Sequence, residues 1–356
     1  MVPDLPAELA GRRIRVAVLC GGESPEHDVS LVSARNVLGA MDPERYDPSV
    51  IQIGRDGVWR RAGQSAALSV TPGLPPEAGG AEFDVVFPVL HGPNGEDGTV
   101  QGLLELLHVP YVGPGVLGAA LTMDKEAAKR VLQAAGLPVV PWVTVRAGKA
   151  RPGWEATTGR LGRPVFVKPA RMGSSVGVSV AATAEELDRA LEEAFAFDAK
   201  VLVEQRIDGR EIECAVLGNE YPEASVPGEI ASTHDFYSYE AKYVDEHGAR
   251  LHAPADLAPD QAERIREMSV LAFQALCCAG MARVDFFLTA AGKDGEAAAG
   301  ARDGVYINEV NGIPGFTEIS MYPRLWATTG LEYPQLIDRL ISLAFARHAA
   351  RKERGR

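Results

Sequence analysis

Apolar runs and polar, glycine-rich breaks alternate from the start of the chain. Residues 14–19 have the make-up of a buried strand, 20–28 form a loop around Gly21-Gly22, and 29–41 carry apolar residues at helical spacing. Strand, glycine loop and helix in that order open a parallel α/β sheet. A second strand, 83–90, runs into the loop His91-Gly92-Pro93-Asn94-Gly95-Glu96-Asp97-Gly98, and a helix over 99–107 follows. Ligands of open parallel sheets sit beyond the carboxyl ends of the strands, so both loops are expected to face one crevice.

Beyond Tyr111-Val112-Gly113-Pro114-Gly115 the pattern restarts. It predicts a helix over 124–135, a strand over 139–145 and a Gly-, Arg- and Trp-bearing connector over 147–163. Strands at 165–168 and 177–180 flank a glycine- and serine-rich loop, 185–195 reads as an amphipathic helix, and 201–204 as another strand. The remainder holds strands near 211–217, 282–288 and 305–309, a helix over 259–279, a polar hairpin loop over 290–304 and terminal helices. No internal repeat is present. The expected organisation is mixed α/β and α+β in three parts: a parallel, Rossmann-like domain over 1–113, then two α+β units over 114–204 and 205–356.

Composition narrows the partners. The 356 residues carry 36 Lys and Arg against 48 Asp and Glu, a net charge of −12. A general nucleic-acid binder needs a basic surface to release counterions from phosphates, so this balance points away from nucleic acid. No apolar run is long enough to span a bilayer, and residues 1–13 lack a signal-peptide core, so a cytoplasmic protein without a membrane segment is expected. The cysteines Cys20, Cys214, Cys277 and Cys278 lack zinc-pair spacing. The adjacent Cys277 and Cys278, inside a predicted helix, are expected as ordinary buried thiols.

Three segments carry candidate chemistry. Lys168-Pro169-Ala170-Arg171-Met172-Gly173-Ser174-Ser175-Val176-Gly177 fits neither a dinucleotide fingerprint nor a Walker-A loop, because strands flank it on both sides. It reads as a glycine-rich flap whose N–H groups and hydroxyls suit phosphate oxygens, with Lys168 as a point charge; the alternative is a plain surface hairpin. On the strands that follow, Asp285, Glu309 and Asn311 are hard oxygen donors set among apolar residues. Buried carboxylates are costly unless paired or metal-bound, and Mg²⁺ favours such oxygens together with phosphates. A structural Arg283–Asp285 salt bridge is the competing reading. In Asn311-Gly312-Ile313-Pro314-Gly315-Phe316-Thr317-Glu318-Ile319-Ser320, glycines let N–H groups approach a developing oxyanion, and Ser320 suits both a donor role and a helix N-cap.

Together these segments resemble a known family. Gly21-Gly22-x-Ser24-x-Glu26-x-x-Val29-Ser30, His91-Gly92-x-x-Gly95-Glu96-Asp97-Gly98, Met123-Asp124-Lys125, Val167-Lys168-Pro169, Gly173-Ser174-Ser175-Val176-Gly177, Tyr239-Glu240-Ala241-Lys242-Tyr243 and Asn308-Glu309-x-Asn311-x-x-Pro314-Gly315-Phe316-Thr317 look like the D-alanine-D-alanine ligases of the ATP-grasp superfamily. The resemblance implies a three-domain ATP-grasp architecture in which two α+β subdomains clamp ATP. It also implies the activity: ATP phosphorylates the carboxylate of one D-alanine, and the amine of a second attacks to give the dipeptide used in peptidoglycan synthesis.

Residue by residue, the resemblance implies that Lys125 and Lys168 contact the phosphates under a flap of Gly173, Ser174 and Ser175. Glu204, Gln205 and Ile207 would line the adenine pocket, Glu211 would hold the ribose, and Lys242 would also reach the nucleotide. Asp285, Glu309 and Asn311 would hold two Mg²⁺ ions, for which Mn²⁺ can substitute. Glu26 and His91 would bind the first D-alanine, Ser320 and Lys242 the carboxylate of the second. Arg283 and the Gly315 N–H would stabilise the oxyanion, and Ser174, Tyr243 and Glu26 would close the site. A homodimer is the family's usual arrangement.

Gly312 departs from the family's Thr or Ser, and the 290–304 loop is longer than the family needs. Glu240-Ala241-Lys242-Tyr243 resembles the dipeptide-forming type more than ligases that use D-lactate or D-serine. An NAD-binding oxidoreductase is a poorer reading, since no further glycine follows Gly21-Gly22 at the required offset. A non-catalytic amino-acid sensor on the same fold is a third reading.

Overall fold

The computed structural model describes residues 9, 11–61, 67–68, 83–232, 249–289 and 304–353. Its strands form three sheets. The N-terminal sheet contains β1 (Ile14–Gly21), β2 (Tyr46–Ile53), β3 (Trp59–Arg61), β4 (Ala67–Leu68) and β5 (Val85–Pro88), in the order β4-β3-β2-β1-β5. β1 pairs in parallel with β2 and β5, and only Arg15 of its residues is less than fully buried, which is why it reads as an apolar run. β3 and β4 extend the edge antiparallel, so the expected parallel sheet is mixed.

The second sheet contains β6 (Trp142–Arg146), β7 (Val165–Pro169), β8 (Ser179–Ala181) and β9 (Lys200–Gln205), ordered β6-β9-β7-β8 and antiparallel throughout. The helix Ala184–Phe195 covers it with Leu187, Ala190, Leu191 and Ala194, and the Thr183 hydroxyl caps the helix by accepting from the Glu186 N–H at 3.2 Å. Within the stretch expected as a connector lies the helix Trp154–Leu161, which buries Thr157, Thr158 and Leu161.

The third sheet contains β10 (Arg210–Gly218), β11 (Glu223–Ala224), β12 (Gly228–Ser232), β13 (Ala249–His252), β14 (Gly280–Leu288) and β15 (Val305–Asn311). Its order is β13-β12-β10-β14-β15, with β11 on β10. Along β14, Ala282, Val284 and Phe286 pack into the core beside the helix Pro259–Ala275, while Arg283, Asp285 and Phe287 alternate onto the other, partly open face. That helix stops at Ala275, short of 279, and Cys277 follows it in left-handed backbone. Cys278 is buried as expected; Cys277 is exposed, a correction.

Packing crosses the sequence divisions. Ala128, Leu132 and Leu137 share one apolar cluster with Ile212, Phe273 and Ile307, so the helix Lys125–Ala134 sits on the third sheet. Val16, Val18 and Phe87 of the first sheet and Val37 of the helix His27–Ala40 share another with Leu336, Ile337, Leu340 and Ile341 of the helix Tyr333–Glu353. Among the described residues no helix is long and apolar enough to cross a membrane.

Candidate active site

β1 ends so close to β2 that a Cβ on Gly21, at φ +89°, would lie 2.2 Å from the Ile53 carbonyl oxygen. The chain leaves the sheet there and enters the helix His27–Ala40, with buried Glu26 at its N-terminus. Ser30 Oγ accepts from the Gly21 N–H at 2.8 Å and donates to the Val89 carbonyl at 2.5 Å. This hydroxyl ties the loop after β1 to the loop after β5, and both open on one crevice.

The flap between β7 and β8 takes left-handed backbone at Ser174 (φ +48°) and Ser175 (φ +59°), which non-glycine residues rarely adopt. At its tip the Ser174 hydroxyl donates to the Glu26 carboxylate. A Cβ on Gly173 would lie 2.6 Å from Glu26 Oε2, so the flap backbone rests against that carboxylate.

Under the flap lies a cavity of about 240 Å³. Lys125, Lys168, Gly173, Ser174, Ser175, Glu204, Gln205, Ile207 and Glu211 all line it, together with Asp285 and Glu309. Lys242, also expected at the nucleotide, and Tyr243 lie outside the described residues. Lys125 Nζ donates to the Met172 carbonyl at 2.7 Å and lies 3.4 Å from Glu309 Oε2. Lys168 Nζ lies 2.7 Å from Glu204 Oε2 and donates to Asn308 Oδ1 at 3.2 Å. Lys129, which the sequence did not single out, is buried 3.0 Å from Glu204 Oε1. Burial pushes its ammonium down to about 8, against the pull of Glu204. Burial alone would raise Glu204, and Lys129 and Lys168 more than offset it, holding the carboxyl below its usual range.

A second cavity, of about 110 Å³, adjoins the first and shares Gly173, Ser174, Glu213 and Glu309 with it. Glu26, His91, Arg283, Gly315 and Ser320 converge on it, as the sequence predicts. Glu96 and Glu213 line it as well and were not anticipated as site residues. Burial pushes the Glu96 carboxyl up to about 8, the Glu26 charge adds to the rise, and hydrogen bonds from the backbone of Gly92 and Ile313 oppose it. Burial likewise holds the His91 imidazole below its usual value.

The three oxygen donors meet where the cavities join. Asp285 and Glu309 are opposite each other on β14 and β15, and Asn311 Nδ2 donates to Asp285 Oδ2 at 2.9 Å. The salt bridge of the competing reading exists too: Arg283 donates to both Asp285 oxygens at 2.7 and 2.8 Å and lies 3.1 Å from Glu213. Burial alone would lower the Arg283 pKa, yet Asp285 and Glu213 raise it well above the guanidinium value. Among the described residues no group of three or more His, Cys, Asp or Glu is placed to hold a metal. The set here is two carboxylates and an amide, whose oxygens suit Mg²⁺ when water and phosphate complete the shell.

Ser320 occupies the N-cap position of the helix Met321–Thr328 but makes no side-chain cap bond. Its Oγ instead accepts from the Thr317 N–H at 2.9 Å and lies 2.8 Å from Thr317 Oγ1, so the expected capping role is corrected. A Cβ on Gly315 would come within 2.8 Å of that same Oγ. The loop is anchored by fully buried Phe316, whose ring meets Phe87 of β5 edge-on at 5.9 Å.

Comparison with known proteins agrees with this geometry. Residues 15–114 match the model for the D-ala D-ala ligase N-terminus, and 131–342 the one for the D-ala D-ala ligase C-terminus. The chain is 48% identical to D-alanine–D-alanine ligase A of Chromobacterium violaceum, over 93% of this chain and 95% of that protein. It is 49% identical to D-alanine–D-alanine ligase of Sodalis glossinidius, at the same coverage of 93% and 95%. Its fold superposes on the D-alanine-D-alanine ligase of Coxiella burnetii with a TM-score of 0.82 at 38% identity, covering 96% of this chain and 98% of that one. For the VanG D-Ala:D-Ser ligase of Enterococcus faecalis the TM-score is 0.79 at 35% identity, covering 94% and 100%. Matches of this extent over both halves of the molecule make the chain a member of the D-alanine–D-alanine ligase family.

Proposed function

We propose that this protein joins two D-alanines into D-alanyl-D-alanine, with ATP converted to ADP and phosphate, for peptidoglycan precursor synthesis. The observation that carries this reading is the shared wall of Gly173, Ser174, Glu213 and Glu309 between the larger cavity under the flap and a smaller polar one. A carboxylate in the smaller cavity would meet a γ-phosphate in the larger without leaving the cover of the flap.

Glu26 and His91 would hold the first D-alanine. Lys125, Lys168 and the Gly173-Ser174-Ser175 flap would hold the phosphates, Glu204, Gln205 and Ile207 the adenine, and Glu211 the ribose. An oxygen of the first carboxylate attacks the γ-phosphorus and ADP leaves, giving an acyl phosphate. The second D-alanine, held at its carboxylate by Ser320 and Lys242, attacks the acyl carbon through its amine; phosphate leaves and a proton is lost. Arg283 and the Gly315 N–H would stabilise the oxyanion formed on the way, a contribution of roughly 3–4 kcal/mol for such a donor. Mg²⁺ at Asp285, Glu309 and Asn311 would neutralise charge on the phosphates, with two ions expected. Tyr243 would join Ser174 and Glu26 in closing the site.

The same reading divides the chain into three units, 1–113, 114–204 and 205–356, with the helix Lys125–Ala134 of the second packed on the sheet of the last. A cytoplasmic homodimer is part of the same reading; the exposed Leu106 and Leu117 offer apolar surface for it.

Phosphate release with purified protein tests the function. Release is expected only with ATP, Mg²⁺ and D-alanine together, and L-alanine should not substitute. The likeness to a D-Ala:D-Ser ligase makes D-serine the informative competitor. Faster release with D-alanine plus D-serine or D-lactate than with D-alanine alone would replace the dipeptide reading, and no release at all would end it.

A further inference from the structure

Lys129 sits on the buried side of the helix Lys125–Ala134, and no step above uses it. Its ammonium lies 3.0 Å from Glu204 Oε1, while Lys168 takes the other oxygen of the same carboxylate at 2.7 Å. All three residues are at most 8% exposed. Lys129 also donates to the Val140 carbonyl at 3.1 Å and stands over the Trp142 ring at 5.9 Å, which fixes it in place. Two buried cations thus share one buried anion, and the group carries one net positive charge.

That arrangement has a consequence for Lys168. A buried Lys168–Glu204 pair alone would be neutral and closed, each ion spending its field on the other. With Lys129 sharing the carboxylate, the field that Lys168 presents to the cavity is less cancelled. Two of the three donors of Lys168 are used among the described residues, on Glu204 and Asn308, and a third remains for a phosphate oxygen. Glu204 itself lines the nucleotide cavity, so its orientation bears on the same ligand.

We infer that Lys129 is a positioning residue for the nucleotide: by sharing the Glu204 carboxylate it holds Glu204 in place and leaves more of the Lys168 field for an ATP phosphate. This rests on the reading of the larger cavity as the ATP site.

The test is calorimetric binding of ATP to the full chain, beside Michaelis constants for ATP and D-alanine. Lys129→Met is expected to weaken ATP binding roughly tenfold, the size of a coupling inside one ion-pair network. The D-alanine constant should stay within about twofold, a split that general loosening of the fold would not give. Lys129→Gln carries the same test if the Met variant does not fold. In a Glu204→Gln background, replacing Lys129 should have little further effect. Unchanged ATP affinity in the Lys129 variant, or a loss of the same size in the Glu204→Gln background, overturns the inference. Failure of the wild-type protein to bind ATP would instead overturn the reading of the cavity.

Discussion

The Ser174 hydroxyl donates to the Glu26 carboxylate across 148 residues of sequence, joining the flap of the second sheet to the first helix of the N-terminal domain. Glu26 is buried, so the bond is made to a charged group largely out of water. Hydrogen bonds to charged groups contribute about 1.5–3 kcal/mol. Ser174→Ala should therefore raise the D-alanine KM or lower kcat by roughly tenfold or more, read by steady-state kinetics. Equal kinetics would show that the flap closes without this bond.

Arg283 holds Asp285 and Glu213 at once. Its replacement by Ala should cut kcat about 10²–10³-fold while leaving ATP affinity comparatively intact. It should also lower the melting temperature, because breaking a buried pair costs on the order of 3–5 kcal/mol. Arg283→Lys keeps the charge but not the two-pronged geometry, so it should recover stability better than turnover.

Glu96 gives a pH signature. The folded protein holds this carboxyl near 8 against an ordinary 4.5, so its protonated form favours folding. That contribution is complete below about 4.5 and is lost as pH rises through about 8. Glu96→Gln has no proton to lose, and its melting temperature relative to wild type should climb between pH 6 and pH 9, roughly the upper part of that window. A constant difference across the range would place the ionised form of Glu96 in the folded state throughout.

Gly312 has a steric reason to lack a side chain. A Cβ there would lie 2.8 Å from Thr122 Oγ1, whose hydroxyl already donates to the carbonyl of Gly118 at 2.9 Å. Gly312→Ser should destabilise by about 1–3 kcal/mol, the usual range for overpacking. Thr122→Ala in the same protein should return most of that loss in a thermal melt.

The residues at the site were legible where chemistry and glycine punctuation coincide: Gly21-Gly22, the flap, and the carboxylates on two apolar strands. Lys129 was not, because Lys125-Glu126-Ala127-Ala128-Lys129-Arg130 reads as a solvated helix face, and its burial depends on Glu204 in a distant strand. Glu96 sat in a recognised motif, but its raised pKa arises from burial and from Glu26 on another loop. The helix Trp154–Leu161 escaped notice because its mix of Gly, Thr and Arg has no strong periodicity, while tertiary packing buries Thr157, Thr158 and Leu161. For Ser320 the position was right and the bond wrong: Thr317 competes for the hydroxyl that a cap would need.

The cluster that joins Val16, Val18 and Phe87 to Leu336, Ile337 and Leu340 bears on the order in which the molecule is made. A nascent chain emerging from the ribosome can lay down β1, β2 and β5 early, but one side of that sheet waits for a helix translated more than two hundred residues later. Until then its apolar face has only partial cover, and closure over so long a loop is entropically slow. The first domain to be synthesised is thus among the last to be finished, and in that interval it is the part most exposed to aggregation or to a chaperone.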